Sequence, residues 1–464
     1  MGEGSNEGKT LGLGRDGTHL AARVGDRFLY RFAERLLTMA TLNSKPTTYN
    51  NNAKIELTRE SAILEARLIP ITAEMNHYPL RVNKSTWERH LKAAQENADF
   101  LREFCCYLAD DDYFRPNSTA DCAKAVFANR GIEPKKLSKV TKKPLTDKDT
   151  LAELASNGDN LAGAIIDARS AISRFGQLKA WKGFAEQGFV QTSWDPLGTP
   201  HGRYASASPS LTNRIDPIRD TIEADEGYSF LSIDNSQSEY VVWASLSGDL
   251  TLSEAFLAGK DFHTETARLI KATVPSWEPR EEDERQGGKT INFALLYLMQ
   301  VQTLARKLAC SVEVANKIVK VYQARAEIAT SYIQQVLALA KQTGYVETYF
   351  GRRRYCEEYQ QLNGSREVHE VQKTLWNHVC AGSSAELVKQ KQLKTWVTLR
   401  QSGLTAQDVR VAINEFDEIL LHVRDSVLEE VTSLATKIWE TPEKGFLPFR
   451  VGVKSAKTWG GCAK

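Results

Sequence analysis

Arg285, Lys289, Phe293 and Tyr297 stand four residues apart in the run Arg285-Gln-Gly-Gly-Lys-Thr-Ile-Asn-Phe-Ala-Leu-Leu-Tyr297. A step of four drifts by only about 40° around an α-helix, so this spacing predicts one broad helical face bearing two cations and then two rings. That order suits a nucleoside triphosphate: the cations meet phosphate oxygens, and the aromatic faces pack on sugar and base. Glu281, Glu282, Asp283 and Glu284 come just before Arg285, where acidic groups favour a helix N-terminus. On spacing alone, an ordinary amphipathic surface helix is the commoner source of such a pattern.

Two further segments supply carboxylates. In Leu231-Ser-Ile-Asp-Asn-Ser-Gln-Ser-Glu239, Tyr228, Phe230 and Ile233 alternate with small residues, which predicts a strand delivering Asp234 to its exposed end. In Val411-Ala-Ile-Asn-Glu-Phe-Asp-Glu-Ile-Leu-Leu-His-Val423, two apolar arms flank Phe416-Asp417-Glu418, the pattern of a β-hairpin with acids at its tip. One Asp at a strand end is most often a turn former. Two of them, one on each side of a cationic-aromatic helix in the sequence, form the set that two-metal phosphoryl transfer needs, in which one ion activates the attacking oxygen and the other steadies the leaving one.

These three segments resemble motifs A, B and C of the DNA polymerase I family (family A). Asp234-Asn-Ser-Gln-Ser-Glu239 resembles the family's Asp-Tyr-Ser-Gln-x-Glu, with Leu246-Ser-Gly-Asp249 following as in the family. Asp261-Phe-His-Thr-Glu-Thr-Ala267 is similar to a segment of the family's fingers, and Gly344 to Arg354 to the hairpin after the fingers helices. Gly202-Arg-Tyr-Ala-Ser-Ala-Ser-Pro-Ser-Leu-Thr-Asn213 resembles the element that grips the duplex near the primer terminus. The match runs from about residue 55 to the terminal Val451-Gly-Val-Lys-Ser-Ala-Lys-Thr-Trp459, in the family's order.

The resemblance implies an α+β right hand: an antiparallel-sheet palm, helical fingers and a helical thumb. It implies a DNA-directed DNA polymerase extending a primer 3′ end from dNTPs. Asp234, Asp417 and the backbone carbonyl of Asn235 would ligate two Mg²⁺ ions, Mn²⁺ substituting. Arg285 and Lys289 would hold the triphosphate, with Lys289 also protonating the pyrophosphate. Tyr297 would close over the base pair and Phe293 lie against the sugar. Glu239 matches the steric gate against a 2′-hydroxyl, and His263 and Gln237 are further dNTP contacts. Arg203, Asn213 and Glu418 match DNA-side residues, Arg203 and Asn213 through minor-groove atoms. Lys135, Lys136, Lys139, Lys142 and Lys143, five within nine residues, would track duplex phosphates near the thumb tip, where a solvated loop is the alternative.

Some positions depart from the family. Phe416 replaces the motif C His and cannot make its polar contact. Asn235 replaces Tyr, Ala381 a Gln, and Ala294 and Leu298 two glycines around Tyr297. Such departures fit a divergent viral or mobile-element member. A phage-type RNA polymerase shares the two Asp residues and a fingers Lys and Tyr, but Glu239 and Phe293 would crowd a ribose. A reverse-transcribing relative and an inactive primer-template-binding replisome component are the other readings.

The elements that position these residues divide the chain as follows: 1–54, tail, Arg-rich docking helix (Arg23 to Leu37) and linker; 55–82, start of the palm; 83–188, thumb; 189–248, palm; 249–404, fingers and following helices; 405–464, palm and C-terminus. Helices are expected over Glu56 to Ala73, Lys84 to Tyr107 and Asp425 to Thr441, with strand and loop over 190–248 and mostly helix over 250–400. Thr146 or Asp147 is placed to cap a thumb helix. About fifty residues before the core are too few for an exonuclease domain, so the chain is expected not to proofread. Exonuclease, primase or helicase activities would then belong to separate partner proteins.

Composition excludes little. Lys plus Arg is 60 against 58 for Asp plus Glu, a net charge of +2, so nucleic-acid affinity has to come from local patches. Seven cysteines show no metal-ligand spacing and suit reduced intracellular thiols. No apolar run approaches the ~18 residues of a membrane span, and no signal-peptide core is present.

Overall fold

Aromatic and β-branched residues make Tyr228–Ser236 a strand, buried on both faces through Ser229 to Ile233, as expected for the interior of a sheet covered by helices. The computed structural model describes residues 47–48, 54–134, 136–138, 140–212, 214–279 and 283–462. The chain forms two compact units: 1–78, 191–212 and 227–455 in one; 79–190, 213–226 and 456–464 in the other. The expected Arg23 to Leu37 helix lies outside the described residues.

In the first unit, β8 (Tyr228–Ser236) lies between β12 (Glu418–Arg424) and β13 (Arg450–Ala456), and β11 (Val409–Glu415) closes the order β11-β12-β8-β13. β11 and β12 are the expected hairpin, joined through Phe416 and Asp417, with Phe416 at φ +57°. Antiparallel register sets Glu418 opposite Asp234 and Ile419 opposite Ile233. A second sheet runs β1 (Thr47–Thr48), β2 (Lys54–Leu57), β10 (Arg352–Tyr355), β9 (Tyr345–Glu347). The expected linker is therefore part strand, because Thr47 and Thr48 pair with Ile55 and Lys54.

The long helical runs differ in detail from expectation. Glu56 belongs to β2; helix begins only at α1 (Arg59–Arg67) and restarts after Leu68 as Ile69–His77. The 190–248 stretch includes helix as well as strand: Asp216–Thr221 and α5 (Ser238–Ser247). The late helix, α11 (Leu428–Glu440), starts after a 3₁₀ turn at Asp425–Val427. Around the site stand α6 (Phe262–Thr273), α7 (Glu284–Leu296), α8 (Val312–Arg325), α9 (Glu327–Thr343) and the 37-residue α10 (Ser365–Gln401). They share one core that includes Trp243, Ile270, Ile291, Ile333 and Trp376.

Beneath this layer lies a fully buried charge cluster. Glu65 on α1 accepts from Arg352 on β10 and Lys389 on α10, both at 2.5 Å, and Arg352 Nε reaches Glu386 at 3.2 Å. Two carboxylates face two cations, so the cluster is neutral as a whole.

The second unit is built on α2 (Lys84–Ala109), α3 (Lys148–Ser156) and α4 (Asn160–Ala180), around a core of Cys105, Phe114, Val126, Leu151 and Ile165. Asp147 is the cap of α3, accepting from Thr150 N at 2.8 Å. β3 (Leu80–Val82) pairs with β4 (Phe189–Val190) and β7 (Ile222–Glu223). All seven cysteines are free thiols.

Candidate active site

The ladder between β8 and β12 brings the two expected Asp residues together. Asp234 is the seventh residue of β8, Asp417 sits in the turn before β12, and the Asn235 amide donates to the Asp417 carbonyl at 3.1 Å. Asp417 keeps 28 % of its side chain exposed, yet its Oδ1 is buried without a hydrogen bond. Burial pushes its carboxyl up to about 6, the Arg203 guanidinium opposing the shift and the Glu239 and Asp234 carboxylates adding to it. A buried carboxylate oxygen lacking a donor fits a hard, oxygen-seeking divalent cation. Among the described residues, no group of three or more His, Cys, Asp or Glu side chains converges to hold a metal. Glu418 points its Oε1 at Ser232 Oγ, 2.6 Å away.

Arg203 comes from the loop between β5 (Ser193–Asp195) and β6 (Ala205–Ala207). The preceding Gly202, at φ +85°, has no room for a Cβ, which would meet Arg352 Nε at 2.8 Å. The Arg203 guanidinium donates to Glu239 at 2.7 Å, lies 4.0 Å from Asp417 Oδ1 and stands over the Phe416 ring at 5.0 Å. Phe416, which cannot make a polar contact, thus serves as a cation–π seat for Arg203. The second Glu239 oxygen accepts from the Tyr297 hydroxyl. Burial and the Glu239 carboxylate raise the phenol's pKa, so it stays protonated and donating.

Arg285, Lys289 and Phe293 lie along α7 as the spacing predicts, but the helix ends at Leu296 and Tyr297 is its C-cap. Leu298, at φ +51°, occupies the left-handed position that glycine favours. The Phe293 and Tyr297 rings remain stacked, centroids 5.9 Å apart and 9° from parallel. Of the expected acidic N-terminus, Glu281 and Glu282 fall outside the described residues. Asp283 is the N-cap but gives no side-chain cap, and Glu284 pairs with Lys271.

His263 on α6 is buried, its Nδ1 2.9 Å from Asn292 Nδ2 and its ring beside those of Tyr240 and Phe293. Burial lowers it to about 4; Asp261 pulls it up, and Arg285 and Lys289 push it down. It is therefore neutral at pH 7. Gln237, at φ +59°, precedes α5 and reaches Asp261 Oδ2 at 3.4 Å.

Sequence reasoning missed three features. Gly288 lets α7 lie against α6, since a Cβ there would stand 2.0 Å from the His263 carbonyl oxygen. Ser238 acts on the Asp417 carboxyl, pulling its pKa down against the effect of burial. Asp261 receives Arg285 at 2.9 Å. The paired glycines inside a helical pattern were the available signal for close packing.

The expected duplex-tracking lysines lie in the other unit. Lys136 pairs with Glu153 at 3.5 Å, and Lys142 and Lys143 are exposed in the turn bridged by Leu137 and Pro144. Lys135, Lys139 and Asn213 fall outside the described residues.

The fold is that of a right-hand polymerase domain. The polymerase domain of Pol1 from M. smegmatis, solved with DNA primer-template and dNTP, superposes with a TM-score of 0.77 at 23 % identity, over 87 % of this chain and 71 % of that one. Residues 84–461 match the model of DNA polymerase family A, and the chain belongs to that family. The thermostable DNA polymerase I of one Thermus thermophilus strain is 32 % identical over 279 residues, 59 % of this chain and 32 % of that protein. DNA polymerase I of Pseudomonas aeruginosa is 29 % identical over 388 residues, 81 % and 41 %, and that of Chloroflexus aurantiacus 25 % identical over 459 residues, 93 % and 45 %. The chain thus spans from just under a third to just under a half of these relatives' length. The family generally uses divalent metal ions. Among the described residues, no helix is long and apolar enough to cross a membrane.

Proposed function

We propose that this chain is a DNA-directed DNA polymerase that extends a primer 3′ end on a DNA template with dNTPs. The observation that carries the reading is the placement of Asp234 and Asp417 at one end of the β8–β12 ladder, tied through Arg203, Glu239 and Tyr297 to the cationic-aromatic α7. In this reading 83–188 is the thumb, 249–404 the fingers with the helices that follow, and 55–82, 189–248 and 405–464 the palm.

Asp234, Asp417 and the Asn235 carbonyl would hold two Mg²⁺ ions, or Mn²⁺, which when bound supply Lewis acidity at the attacking and leaving oxygens. The chain's own groups do the rest. Arg285 and Lys289 bind the triphosphate oxygens, one as a planar cation and the other as a point charge. The primer 3′-hydroxyl loses its proton to water as its oxygen bonds to the α-phosphorus, the bond from that phosphorus to the oxygen bridging to the β-phosphate breaks, and the Lys289 ammonium gives its proton to the departing pyrophosphate. Phe293 and Tyr297 offer stacked faces to the nucleoside. Glu239, held from both sides, excludes a 2′-hydroxyl by occupying its space. Neutral His263 would meet a phosphate through a hydrogen bond, without charge. Arg203, Glu418 and the lysines at 136, 142 and 143 would serve the duplex.

Primer extension on DNA and RNA templates, with dNTPs or rNTPs and Mg²⁺ or Mn²⁺, tests the reading. DNA-templated dNTP addition that vanishes in Asp234→Asn and in Asp417→Asn is the expected result. Extension by either variant at saturating Mg²⁺ removes that residue from the mechanism, and preference for rNTPs or for RNA templates replaces the reading itself.

A further inference from the structure

Asp261 uses both of its carboxylate oxygens, and the two serve different elements. Oδ1 caps α6, accepting from Thr264 N at 2.8 Å and Thr264 Oγ1 at 2.7 Å. Oδ2 accepts from Arg285 on α7 at 2.9 Å and from Gln237, before α5, at 3.4 Å. Burial pushes the Asp261 carboxyl up, but the hydrogen bonds from Arg285 and Thr264 outweigh it and hold the group at about 2. The carboxylate is thus an anion at any working pH. It sits on the guanidinium that the proposed function gives to the triphosphate.

We propose that Asp261 is a positioning residue that occupies Arg285 until a polyphosphate takes its place. Resting on the reading of Arg285 as a phosphate ligand, this deepens it into a statement about selectivity. The Arg285–Asp261 pair is open to solvent, with side chains 58 % and 36 % exposed, so it is weak and readily exchanged. A single carboxylate loses to a triphosphate, which brings several anionic oxygens to a guanidinium that binds two at once. It sets the same penalty against a ligand of lower charge, which has less binding energy to offset it. Asp261 thereby raises the charge a ligand needs to capture Arg285. Exchange leaves Asp261 with its Thr264 contacts, so α6 and His263 keep their capped start while Arg285 swings to the nucleotide.

The test compares wild type, Asp261→Asn, Arg285→Ala and the double variant. Asn caps a helix about as well as Asp, so the substitution removes charge and leaves the cap. Asp261→Ser, a second neutral cap, must reproduce the result. Two quantities are read: calorimetric affinity for inorganic tripolyphosphate and pyrophosphate, and the dNTP KM set against kcat on a primer-template. Asp261→Asn is expected to tighten tripolyphosphate two- to five-fold and to tighten pyrophosphate by about the same factor. It is expected to lower the dNTP KM by a similar factor, with the effect shrinking at high ionic strength. In the Arg285→Ala background it should do nothing. Unchanged or weaker binding in Asp261→Asn overturns the inference, as does equal tightening with and without Arg285. If Arg285→Ala alone leaves tripolyphosphate affinity and dNTP KM unaltered, the phosphate role of Arg285 fails, and the inference fails with it.

Discussion

At the residue scale, Glu239 is defined by what holds it. A lone carboxylate beside a sugar would swing aside, but Arg203 and the Tyr297 hydroxyl take one oxygen each. Glu239→Ala is expected to raise rNTP over dNTP incorporation by ~10²-fold or more, because steric exclusion is lost outright. Tyr297→Phe should raise it less, and the two changes should fail to add, since both act through one carboxylate. Single-nucleotide insertion ratios decide this, and independent effects would mean that Tyr297 does not hold Glu239. Asp417 supplies a pH signature. Its carboxyl is raised from 3.8 to about 6 by burial, so the folded, metal-free protein binds a proton more tightly than the unfolded chain does. That contribution to stability is complete below the unfolded value and is lost as pH rises through about 6. Divalent-ion affinity should run the other way, falling as pH drops from 7 to 5 while the proton competes for Asp417. Titration calorimetry with Mg²⁺ on wild type and Asp417→Asn checks it; a pH-independent wild-type affinity would contradict the assignment.

At the element scale, the site depends on how closely two helices approach. The His263 carbonyl on α6 leaves no volume for a side chain at Gly288 on α7. Gly288→Ala should therefore cost about 3 kcal/mol of stability, the upper end for overpacking, and weaken dNTP binding by shifting Arg285 and Lys289. A matched control lies in α4 of the other unit, where a Cβ at Gly176 meets nothing within 4 Å. Gly176→Ala should stabilise its unit by ~0.5–1 kcal/mol, the ordinary helix gain. Thermal midpoints of the two variants should move in opposite directions, and a shared direction would refute the packing argument.

At the scale of the whole molecule, segments far apart in sequence close on the buried cluster of Glu65, Arg352, Glu386 and Lys389. Cutting it by Glu65→Gln takes from Lys389, 1 % exposed, and from Arg352, 0 % exposed, the anion that they share. The expected loss is ~3–5 kcal/mol, the range for breaking a buried pair from one side. Denaturant unfolding measures it, and a change under ~1 kcal/mol would show that the cluster tolerates an uncompensated cation. Gly202 rests on Arg352, so the same variant should also loosen Arg203 and relax sugar selection.

The local signals were legible because periodicity and spacing depend on neighbours in sequence. The hairpin of Val409 to Arg424, the strand ending at Asp234, the Asp147 cap and the cationic-aromatic order on α7 all follow from side-chain period and turn chemistry. Element limits were less so: Glu56 reads as helix by composition but joins β2, because a strand from beyond residue 345 is there to pair with it. Thr47 and Thr48 read as linker for the same reason. What only the tertiary structure decided are the partners. Arg203 on Glu239 and Phe416, Tyr297 on Glu239, Asp261 on Arg285 and Gly288 against His263 join residues 24 to 213 positions apart. No local pattern encodes such contacts, because each depends on where two separately folded elements come to rest and on the volume and charge left between them.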